Sequence, residues 1–521
     1  MKGFTLFQTS VKILNNQNIK TGGYFDMATQ SLKPKVKVFL EQDIGLYING
    51  SYVQSSEGKT FDVINPATEE KIASVHEANE KDIDIAVNAA RETFDNGSWT
   101  NLEAHTRSQL IYKFAQLVEE NREELAQLES LDNGKPYHIA LSDDVGGTVQ
   151  QFEYYAGFAT KISGKTTQVS PDYVNYTLHE PIGVAGQIIP WNFPLLMAAW
   201  KLGAALAVGC TVVIKPATET PLSLLYVAQL FKEAGFPDGV VNVVPGSGRI
   251  AGEALIKHEK VDKIAFTGST EVGKNVMKQA ADQVKNVTLE LGGKSPSIIL
   301  EDADLEEAIT GAYNGTMYNH GQNCSACTRI YVQRNVYDKV VAGVKKLAEE
   351  TKLGPGLNSD TDMGPLVSQK QQNTVQQYIQ SGIDEGATLV TGGIQSFDTG
   401  YYVPPTIFAD VTDDMTIARE EIFGPVMSIL IFDTVEEAIE KANNSEYGLA
   451  ASVWTENIRK AHYISGKLQS GTVWINDVGL ELETMPFGGY KQSGIGREMG
   501  GEYGLSNYTE VKSVYVNMQQ K

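Results

Sequence analysis

Residues 211–244 read TVVIKPATETPLSLLYVAQLFKEAGFPDGVVNVV and contain two short β-branched runs with a helical pattern between them. The runs Thr211 to Lys215 and Val240 to Val244 have the length and composition of buried strands, whereas Ser223 to Ala234 repeats apolar residues at helical spacing. The same alternation continues through Lys263 to Thr267, Val272 to Ala281 and Val287 to Leu291. Alternating strands and helices are typical of βαβ units, and they predict an α/β fold with a parallel sheet.

Similar patterns extend in both directions from this stretch. Upstream, apolar residues recur at helical spacing in Asp82 to Phe94 and again in Leu110 to Leu128, which predicts amphipathic helices. A second α/β region follows Gly293, and its predicted strands and helices are Ser297 to Leu300, Arg329 to Val332, Tyr337 to Glu350 and Val435 to Ala442. We therefore predict a domain boundary near Gly292 and Gly293.

The length and the charge of the chain restrict its class. A chain of 521 residues exceeds what one hydrophobic core usually supports, so two or three domains are expected. The net charge of -21 disfavours nucleic acid and anionic membranes as partners, because phosphate binding requires clustered Lys and Arg side chains. The most apolar stretch, Leu195 to Val213, is interrupted by Lys201, Gly203 and Gly209, so it predicts a buried helix leading into a buried strand and no integral membrane segment.

Residues 1–39 are predicted to be a disordered N-terminal extension. Residues 1–26 lack the sustained apolar run of a signal peptide, and Met27, which opens MATQSLKPKVKVFL, is expected to be a second translation start.

Three cysteines, Cys210, Cys324 and Cys327, are too few and too widely spread for a disulfide framework. This sparing use predicts a cytoplasmic protein.

The segment NHGQNCSACTRIYV, residues 319–332, places Cys324 three residues before Cys327. A zinc site needs two further soft ligands and only Cys210 remains, so no metal is predicted. A thioredoxin-type pair normally opens a helix in a small domain, whereas this pair lies deep in a long chain. A nucleophilic cysteine is the third possibility, and it needs a base because a free thiol is mostly protonated at neutral pH. The residues alone leave the redox pair and the nucleophile open.

Two glycine-rich turns and one carboxylate offer the chemistry of a cofactor-dependent site. FTGSTEVG, residues 266–273, lies where a predicted strand ends and a helix begins, so its backbone N–H groups can hold a pyrophosphate. PGSGRIAG, residues 245–252, has the same character, although both also fit ordinary strand-to-helix turns. Glu290 ends the apolar strand in VTLELGGKSP, where burial raises a pKa toward the range of a general base; pairing with Lys294 is the alternative.

Seven motifs, in order along the chain, resemble those of the aldehyde dehydrogenase superfamily. They are PWNFPLLMAAWKLG, KPATETPLSLL, FTGSTEVG, LELGGKSP, GQNCSAC, EEIFGPV and PFGGYKQSGIGRE, and the resemblance extends from Leu46 to Val516. The branch that the chain most resembles is the non-acylating, tetrameric group, which converts aldehydes to carboxylic acids with NAD or NADP. The resemblance implies a Rossmann-like cofactor domain, an α/β catalytic domain and a small β element for bridging and oligomerisation.

The resemblance assigns three catalytic residues. The nucleophile falls on Cys324, the general base on Glu290 and the oxyanion-hole amide on Asn192. Cys327 is then a neighbour without a catalytic role, although we expect it to form a disulfide with Cys324 under oxidation. His320 is interpreted as a packing residue, because Glu290 already supplies the base.

The resemblance also assigns the NAD(P) site. Lys215 is expected at the adenine ribose, Gly268 and Ser269 at the pyrophosphate, and Glu421 with Phe423 at the nicotinamide ribose. The full predicted set of cofactor-binding residues is Ile188, Pro190, Trp191, Lys215, Thr218, Gly248, Phe266, Gly268, Ser269, Glu290, Leu291, Glu421 and Phe423.

One cofactor position departs from the family pattern. Relatives that prefer NAD carry Glu three residues after the ribose-binding Lys, where its carboxylate repels a 2′-phosphate. The position is Thr218 here, with Glu219 next to it. Because Lys215 could then pair with the phosphate of NADP, use of both cofactors is a hypothesis.

The predicted substrate is a small-molecule aldehyde. By resemblance its tunnel is lined by Phe193, Met197, Trp200, Tyr318 and Phe487, although a stripe such as the first three would otherwise be interpreted as plain core. Glu481 and Glu483 precede PFGG in a stretch that is frequently apolar in relatives. Carboxylates at the mouth of a tunnel would favour cationic aldehydes.

The resemblance implies domain limits and an assembly. The cofactor domain comprises residues 40–159 and 180–292, the catalytic domain residues 293–500, and the oligomerisation element residues 160–179 with 501–521. This element pairs with the edge of a partner's sheet in the family, so a homodimer or homotetramer is expected. The alternative function is a catalytically silent ligand-binding or thiol redox protein on the same fold, which the retention of Cys324 and Glu290 disfavours.

Overall fold

The structure, a computed structural model, describes residues 30–519. Within that range, eight strands form the first sheet, whose five central strands run parallel and whose edge strands are antiparallel. Their order across the sheet is Ser51–Val53, Leu46–Ile48, Val241–Val243, Thr211–Lys215, Val184–Ile188, Lys263–Thr267, Asn286–Glu290 and Gly494–Ile495. The prediction of a parallel sheet built from βαβ units is confirmed.

Seven strands of the same described range form the second sheet, which is parallel except at one edge. Their order is Thr388–Thr391, Thr406–Ala409, Val426–Phe432, Arg329–Gln333, Pro296–Ile299, Ala450–Trp454 and Thr472–Ile475. The chain passes from the first sheet to the second between Glu290 and Pro296. Gly292 and Gly293 lie in this crossing.

Helices cover the sheets and account for the near-continuous burial of the central strands. Those before the crossing are Pro34–Leu40, Glu80–Asp95, Ala104–Glu120, Arg122–Asp132, Gly146–Phe158, Pro194–Val208, Leu222–Ala234, Glu253–Lys257 and Thr270–Ala281. Those after it are Leu305–Met317, Tyr337–Glu350, Gln369–Asp384, Thr416–Arg419, Val435–Asn443, Ile458–Ser465 and Glu502–Ser506. The pattern from Leu110 to Leu128 is divided between two helices, because the chain leaves helical geometry at Asn121.

The apolar stretch Leu195 to Val213 behaves as predicted. It forms the buried helix Pro194–Val208, which leads into the buried strand Thr211–Lys215. Gly209 ends the helix with a left-handed φ of 103°, a conformation that favours glycine. None of the helices between residues 30 and 519 has the length and hydrophobicity of a membrane span.

The prediction of disorder up to residue 39 is wrong for its last part. Residues Pro34–Leu40 form a helix that buries Val36 and Phe39 in the first core. The Phe39 ring packs edge-on against Tyr226, with 5.3 Å between ring centroids, and this contact orders the segment. Residues 1–29, including Met27, lie outside the described residues.

The C-terminal part also differs from the predicted domain limits. Ile495 pairs with Leu289, so the chain has returned to the first sheet before residue 500. Leu505 and Tyr508 are buried in the first core. The predicted oligomerisation element corresponds to a two-stranded ribbon of Tyr173–Pro181 and Thr509–Asn517. Each of its strands begins later than the predicted segment, at residue 173 instead of 160 and at residue 509 instead of 501.

Three short two-stranded sheets complete the described fold. They pair Thr60–Ile64 with Lys71–His76, Tyr447–Gly448 with Tyr490–Lys491, and Pro486–Phe487 with Glu498–Met499.

Candidate active site

The three predicted catalytic residues come from separate elements that meet near the carboxyl ends of the first sheet. Asn192 and Glu290 lie at or just beyond the ends of parallel strands, the usual position of ligand sites in α/β folds. Cys324 is in the loop after the helix Leu305–Met317. The Asn192 Nδ2 donates to the carbonyl oxygen of Gln322 at 3.0 Å, and this bond joins the first domain to the cysteine loop.

A sharp turn precedes Cys324 in its loop. Asn319 and His320 have φ values of 50° and 60°, in the left-handed region that non-glycine residues seldom adopt. The His320 Nε2 accepts from the backbone N–H of Gly364 at 2.9 Å, and burial lowers the pKa of the ring to about 3. His320 is therefore a neutral packing residue that holds the loop.

The surroundings of Cys324 keep its partly exposed thiol protonated. Burial has the largest effect, and the carboxylates of Glu481 and Glu290 follow; together they raise the pKa of Cys324 well above its usual range. Only a thiolate is a strong nucleophile, so the reaction of Cys324 depends on the groups that remove or hold its proton.

Glu290 is a buried carboxylate without a hydrogen-bond partner on either oxygen among the described residues. Burial, and then the charge of Glu498, raise the pKa of Glu290 well above its usual range, while Lys201 and Arg497 oppose the shift. The alternative pairing with Lys294 is wrong, since the Lys294 Nζ also has no hydrogen-bond partner in the described chain. A desolvated and unpaired carboxylate of this kind has the basicity of a general base.

Asn192 is held in place by three side chains that the motifs did not point to. Its main-chain carbonyl accepts from Lys135 Nζ at 3.0 Å, Asn319 Nδ2 at 2.9 Å and Asn133 Nδ2 at 3.5 Å. Asn133 and Lys135 belong to LDNGKPY, residues 131–137, a polar segment directly after a buried helix. The helix before them, REELAQLESLD, is itself rich in Glu, so no change of composition marks these two residues in the sequence.

The predicted pyrophosphate site has the geometry of an anion site. A Cβ at Gly268 would lie 2.6 Å from the ring of Phe266, so only glycine fits at this turn. Ser269 caps the helix Thr270–Ala281, and its hydroxyl accepts from the backbone N–H of Val272. The other N–H groups of the first turn and the helix dipole then favour a phosphate.

Lys215 lies at the end of its strand, as an adenine-ribose ligand requires. Its Nζ donates to the carbonyls of Pro216 at 2.7 Å and Gly246 at 3.1 Å, and burial lowers its pKa to about 8. An ammonium has three donors, so one remains for a ligand. The Thr218 hydroxyl donates to the carboxylate of the neighbouring Glu219 at 3.1 Å.

The other predicted cofactor residues surround the same edge. Glu421 accepts from the backbone N–H of Gly293 at 3.0 Å, and burial raises its pKa to about 7. The Phe423 and Trp191 rings pack edge to face, 5.2 Å between centroids. The remaining members lie at or just after the carboxyl ends of strands in the first sheet, namely Ile188, Pro190, Gly248 and Leu291. The residues present thus fit a dinucleotide.

The side chains predicted to line the aldehyde tunnel pack against one another in aromatic pairs. Phe193 stacks on Tyr318 at 6.0 Å between centroids, and Trp200 packs edge-on against Phe487 at 5.1 Å. Met197 is buried beside them in the first core. Of the predicted substrate residues, four thus form two aromatic pairs, and Met197 adds a flexible thioether.

Glu481 lies next to the nucleophile. Its Oε1 accepts from the hydroxyl of Ser325 at 3.0 Å, and burial raises the pKa of Glu481 to about 7. The Glu481 carboxylate also contributes to the raised pKa of Cys324. It therefore affects the thiol as well as the charge at the tunnel mouth.

Replacing Glu481 with Gln is expected to lower the pKa of Cys324, because a nearby anion disfavours the thiolate. Alkylation by iodoacetamide, followed against pH, should shift to lower pH in this variant. The matched control is Glu483→Gln, which is not among the groups that shift the pKa of Cys324 and should leave the profile unchanged. An unshifted profile in Glu481→Gln would contradict the assigned contact.

Cys327 and Cys210 occupy apolar sites away from this chemistry. Cys327 is fully buried against Ala450 and Trp474, and burial raises its pKa to about 12. The Cys210 thiol donates to the carbonyl of Tyr508 at 3.4 Å. Thiol exchange requires a thiolate and access, so the expected disulfide of Cys324 with Cys327 has little support in this packing.

Comparison with known proteins agrees with this geometry. Residues 52–514 match the model of the Aldehyde dehydrogenase family. The chain is 56% identical to the protein DhaS of Bacillus subtilis (strain 168), over 94% of this chain and 99% of that protein. It is 52% identical to the mitochondrial aldehyde dehydrogenase of Rattus norvegicus, over 93% of each. The solved NAD+ complex of a Bacillus cereus aldehyde dehydrogenase has a TM-score of 0.94 and 61% identity, over 94% of this chain and 100% of that one. These matches show that the chain belongs to the aldehyde dehydrogenase family.

Proposed function

We propose that the protein oxidises an aldehyde to the free carboxylic acid with NAD or NADP, through a covalent intermediate on Cys324. The observation that carries the proposal is that the Asn192 amide bonds to the cysteine loop at Gln322, while the unpaired carboxylate of Glu290 is near enough to raise the pKa of Cys324. One group can stabilise an oxyanion and the other can take a proton from water. The family membership and the NAD+ complex of the Bacillus cereus relative support the same chemistry.

In the first step the Cys324 thiol loses its proton to solvent, and the resulting thiolate attacks the aldehyde carbon. The new C–S bond moves the carbonyl electron pair onto oxygen and gives a thiohemiacetal oxyanion. One N–H of the Asn192 Nδ2 donates to the Gln322 carbonyl oxygen. The second N–H can donate to this oxyanion together with the backbone N–H of Cys324. Each such donor contributes about 3 kcal/mol to the transition state.

Lys215, the turn at Gly268 and Ser269, and Glu421 are proposed to hold the dinucleotide. When bound, it supplies the hydride acceptor that oxidation of the thiohemiacetal to a thioester requires. Phe423 and Trp191 pack against each other beside this site. Their side chains would limit the positions that the nicotinamide ring of the cofactor can take.

Hydrolysis completes the reaction. Glu290 takes a proton from water as the water oxygen bonds to the thioester carbon, and the Cys324 sulfur leaves as a thiolate. A buried base dedicated to water explains release of a free acid and disfavours transfer of the acyl group to coenzyme A. It also disfavours a catalytically silent protein, for which an unpaired buried carboxylate would be a cost without a function.

The experiment that tests this function follows the absorbance of reduced cofactor with a panel of aliphatic, aromatic and cationic aldehydes, each with NAD and with NADP. Turnover with release of free acid is expected. The aromatic pairs of Phe193, Tyr318, Trp200 and Phe487 predict that apolar tails are accepted, and Glu481 predicts tolerance of a cationic end. Absence of turnover with every aldehyde would refute the proposal.

Cofactor preference is proposed to depend on Thr218. Thr218→Glu places a carboxylate where it repels the 2′-phosphate, so kcat/KM with NADP should fall about 100-fold while that with NAD changes little. Thr218→Gln, which has the same shape without the charge, is the matched control and should keep the wild-type ratio. A wild-type preference for NAD above about 1000-fold, some 4 kcal/mol, would refute the use of both cofactors.

We further propose that the ribbon of Tyr173–Pro181 and Thr509–Asn517 joins copies of the chain into a homodimer or homotetramer. Its two strands form a separate two-stranded sheet, which one bridge from Tyr176 to Thr166 extends, and Tyr515 is 72% exposed. An isolated two-stranded ribbon is marginally stable, so a partner surface would stabilise it. Light-scattering mass in solution tests this assembly.

Because all three cysteines are free thiols, we also propose a cytoplasmic location, which cell fractionation would test.

A further inference from the structure

We propose that Lys135 is a positioning residue for catalysis: its buried ammonium fixes the main-chain carbonyl of Asn192 and so directs the Asn192 amide at the developing oxyanion. The inference rests on the function proposed above. Lys135 lies too far inside the fold to contact solvent, since its side chain is fully buried.

The contacts of Lys135 converge on the peptide that carries the oxyanion donor. Its Nζ donates to the carbonyl oxygen of Asn192 at 3.0 Å and to Asp144 Oδ1 at 2.7 Å. The same Nζ lies 4.3 Å from the centroid of the Phe193 ring, the residue that follows Asn192. The ammonium thus restrains both the peptide group and the first aromatic side chain of the tunnel.

A closed hydrogen-bond network extends this restraint to the cysteine loop. Asn319 Nδ2 donates to the carbonyls of Asn192 at 2.9 Å and Gln322 at 3.1 Å. The Gln322 carbonyl also accepts from the Asn192 side chain at 3.0 Å. A shift of the Asn192 carbonyl would therefore move its amide relative to Cys324, which is two residues beyond Gln322.

The buried ion pair of Lys135 with Asp144 is weak evidence for a stabilising role. Glu129, Asp132 and Asp144 are all fully buried around it, and each has one carboxylate oxygen without a hydrogen-bond partner among residues 30–519. Burial of such charges costs free energy, and well-packed apolar side chains of similar volume are often equally stable. The ammonium of Lys135 adds a charged donor to a carbonyl in a dry site, and errors of about 1 Å at a reacting centre can cost about 100-fold in rate.

The test is a double-mutant cycle on the full-length protein. Lys135→Met keeps the length of the side chain and removes the donor, and kcat for aldehyde oxidation should fall about 10- to 100-fold, with the KM for aldehyde and the Kd for NAD within about 3-fold. Asn192→Ala alone should lower kcat about 100- to 1000-fold. In that background Lys135→Met should add less than about 3-fold, because a positioning residue has nothing left to position.

Two further variants separate positioning from a general structural effect. Lys135→Gln retains an N–H donor and should recover part of the lost kcat; if Lys135→Met does not fold, this variant takes its place in the cycle. Arg107 is the matched control, a buried cation that donates to the carbonyl of Ala207 at 3.0 Å away from the site. Arg107→Met should lower the melting temperature and leave kcat within about 3-fold, as expected of a cation that only supports the fold.

The outcomes are distinct. Equal losses from Lys135→Met with and without Asn192 would overturn the positioning role, as would a raised KM with unchanged kcat. If both lysine variants fail to fold, the same cycle with Asn319→Ala decides, since Asn319 restrains the same carbonyl and additive losses there would overturn the network. Wild-type protein without aldehyde turnover would instead refute the proposed function.

Discussion

Replacing Cys324 with Ala is expected to lower kcat for aldehyde oxidation by at least about 10,000-fold, because the sulfur that bonds to the aldehyde carbon is removed. Cofactor binding should persist, since no predicted cofactor contact is lost. The measurements are steady-state formation of reduced cofactor and a titration of protein fluorescence with NAD. Trapping of the acyl group by mass spectrometry should fail in this variant and succeed in the wild type.

The matched control is Cys327→Ala, three residues away in the same loop. Cys327 is fully buried against Ala450 and Trp474, so its loss leaves a small cavity that costs about 1 kcal/mol and should leave kcat within about 3-fold. This pair of variants separates one nucleophile from a redox pair. Equal inactivation of both would favour the thiol redox alternative, and an active Cys324→Ala variant would overturn the nucleophile.

Glu290→Gln is expected to trap the acyl group on Cys324. Attack on the aldehyde and oxidation should still occur once, giving a burst of about one reduced cofactor per site, while later turnovers slow by about 100- to 10,000-fold. Rapid-mixing absorbance measures the burst and the steady state in one experiment. A nucleophile stronger than water, such as hydroxylamine, should restore turnover, since it attacks the thioester without the base.

The pH dependence follows from the state of this carboxyl. Burial raises the pKa of Glu290, and only the ionised form accepts a proton, so wild-type hydrolysis should speed up as pH rises through that pKa. The rise should vanish in Glu290→Gln. Glu481→Gln, which removes another of the carboxylates that raise the pKa of Cys324, is the control and should keep multiple turnovers. Loss of the burst itself in Glu290→Gln would contradict the assignment, because the carboxylate would then act before the thioester forms.

Much of the fold follows from patterns within the sequence. The parallel strands of the first sheet are buried on both faces, so their β-branched runs are short and continuous and their limits are visible, as in Thr211–Lys215. The ribbon strand Tyr173–Pro181 has no buried residue and alternates only weakly, so the sequence does not mark its start. The helix Pro34–Leu40 was missed because two buried side chains, Val36 and Phe39, are too few for a periodic signal.

The chemistry of the site divides in the same way. Cys324, Glu290 and Asn192 are recognisable because each lies in a local motif. The donors that hold the Asn192 carbonyl are far from it in the sequence. Asn133 lies 59 positions before Asn192, and Asn319 lies 127 positions after it. Contacts to a main-chain carbonyl leave no trace in the identity of the acceptor residue. They become visible only when the path of the backbone is known.

The antiparallel pairing of Ile495 with Leu289 has a consequence for biogenesis. The edge strand Gly494–Ile495 lies beside the strand that carries Glu290, yet about 200 residues separate them in the chain. The first domain is therefore discontinuous, and the ribosome releases its last strand only after the entire second domain. Until then the edge of Asn286–Glu290 is unpaired, and a polypeptide that stops before residue 494 exposes a β-edge of the kind that leads to aggregation. The strand that carries Glu290 therefore gains its last neighbour only near the end of synthesis.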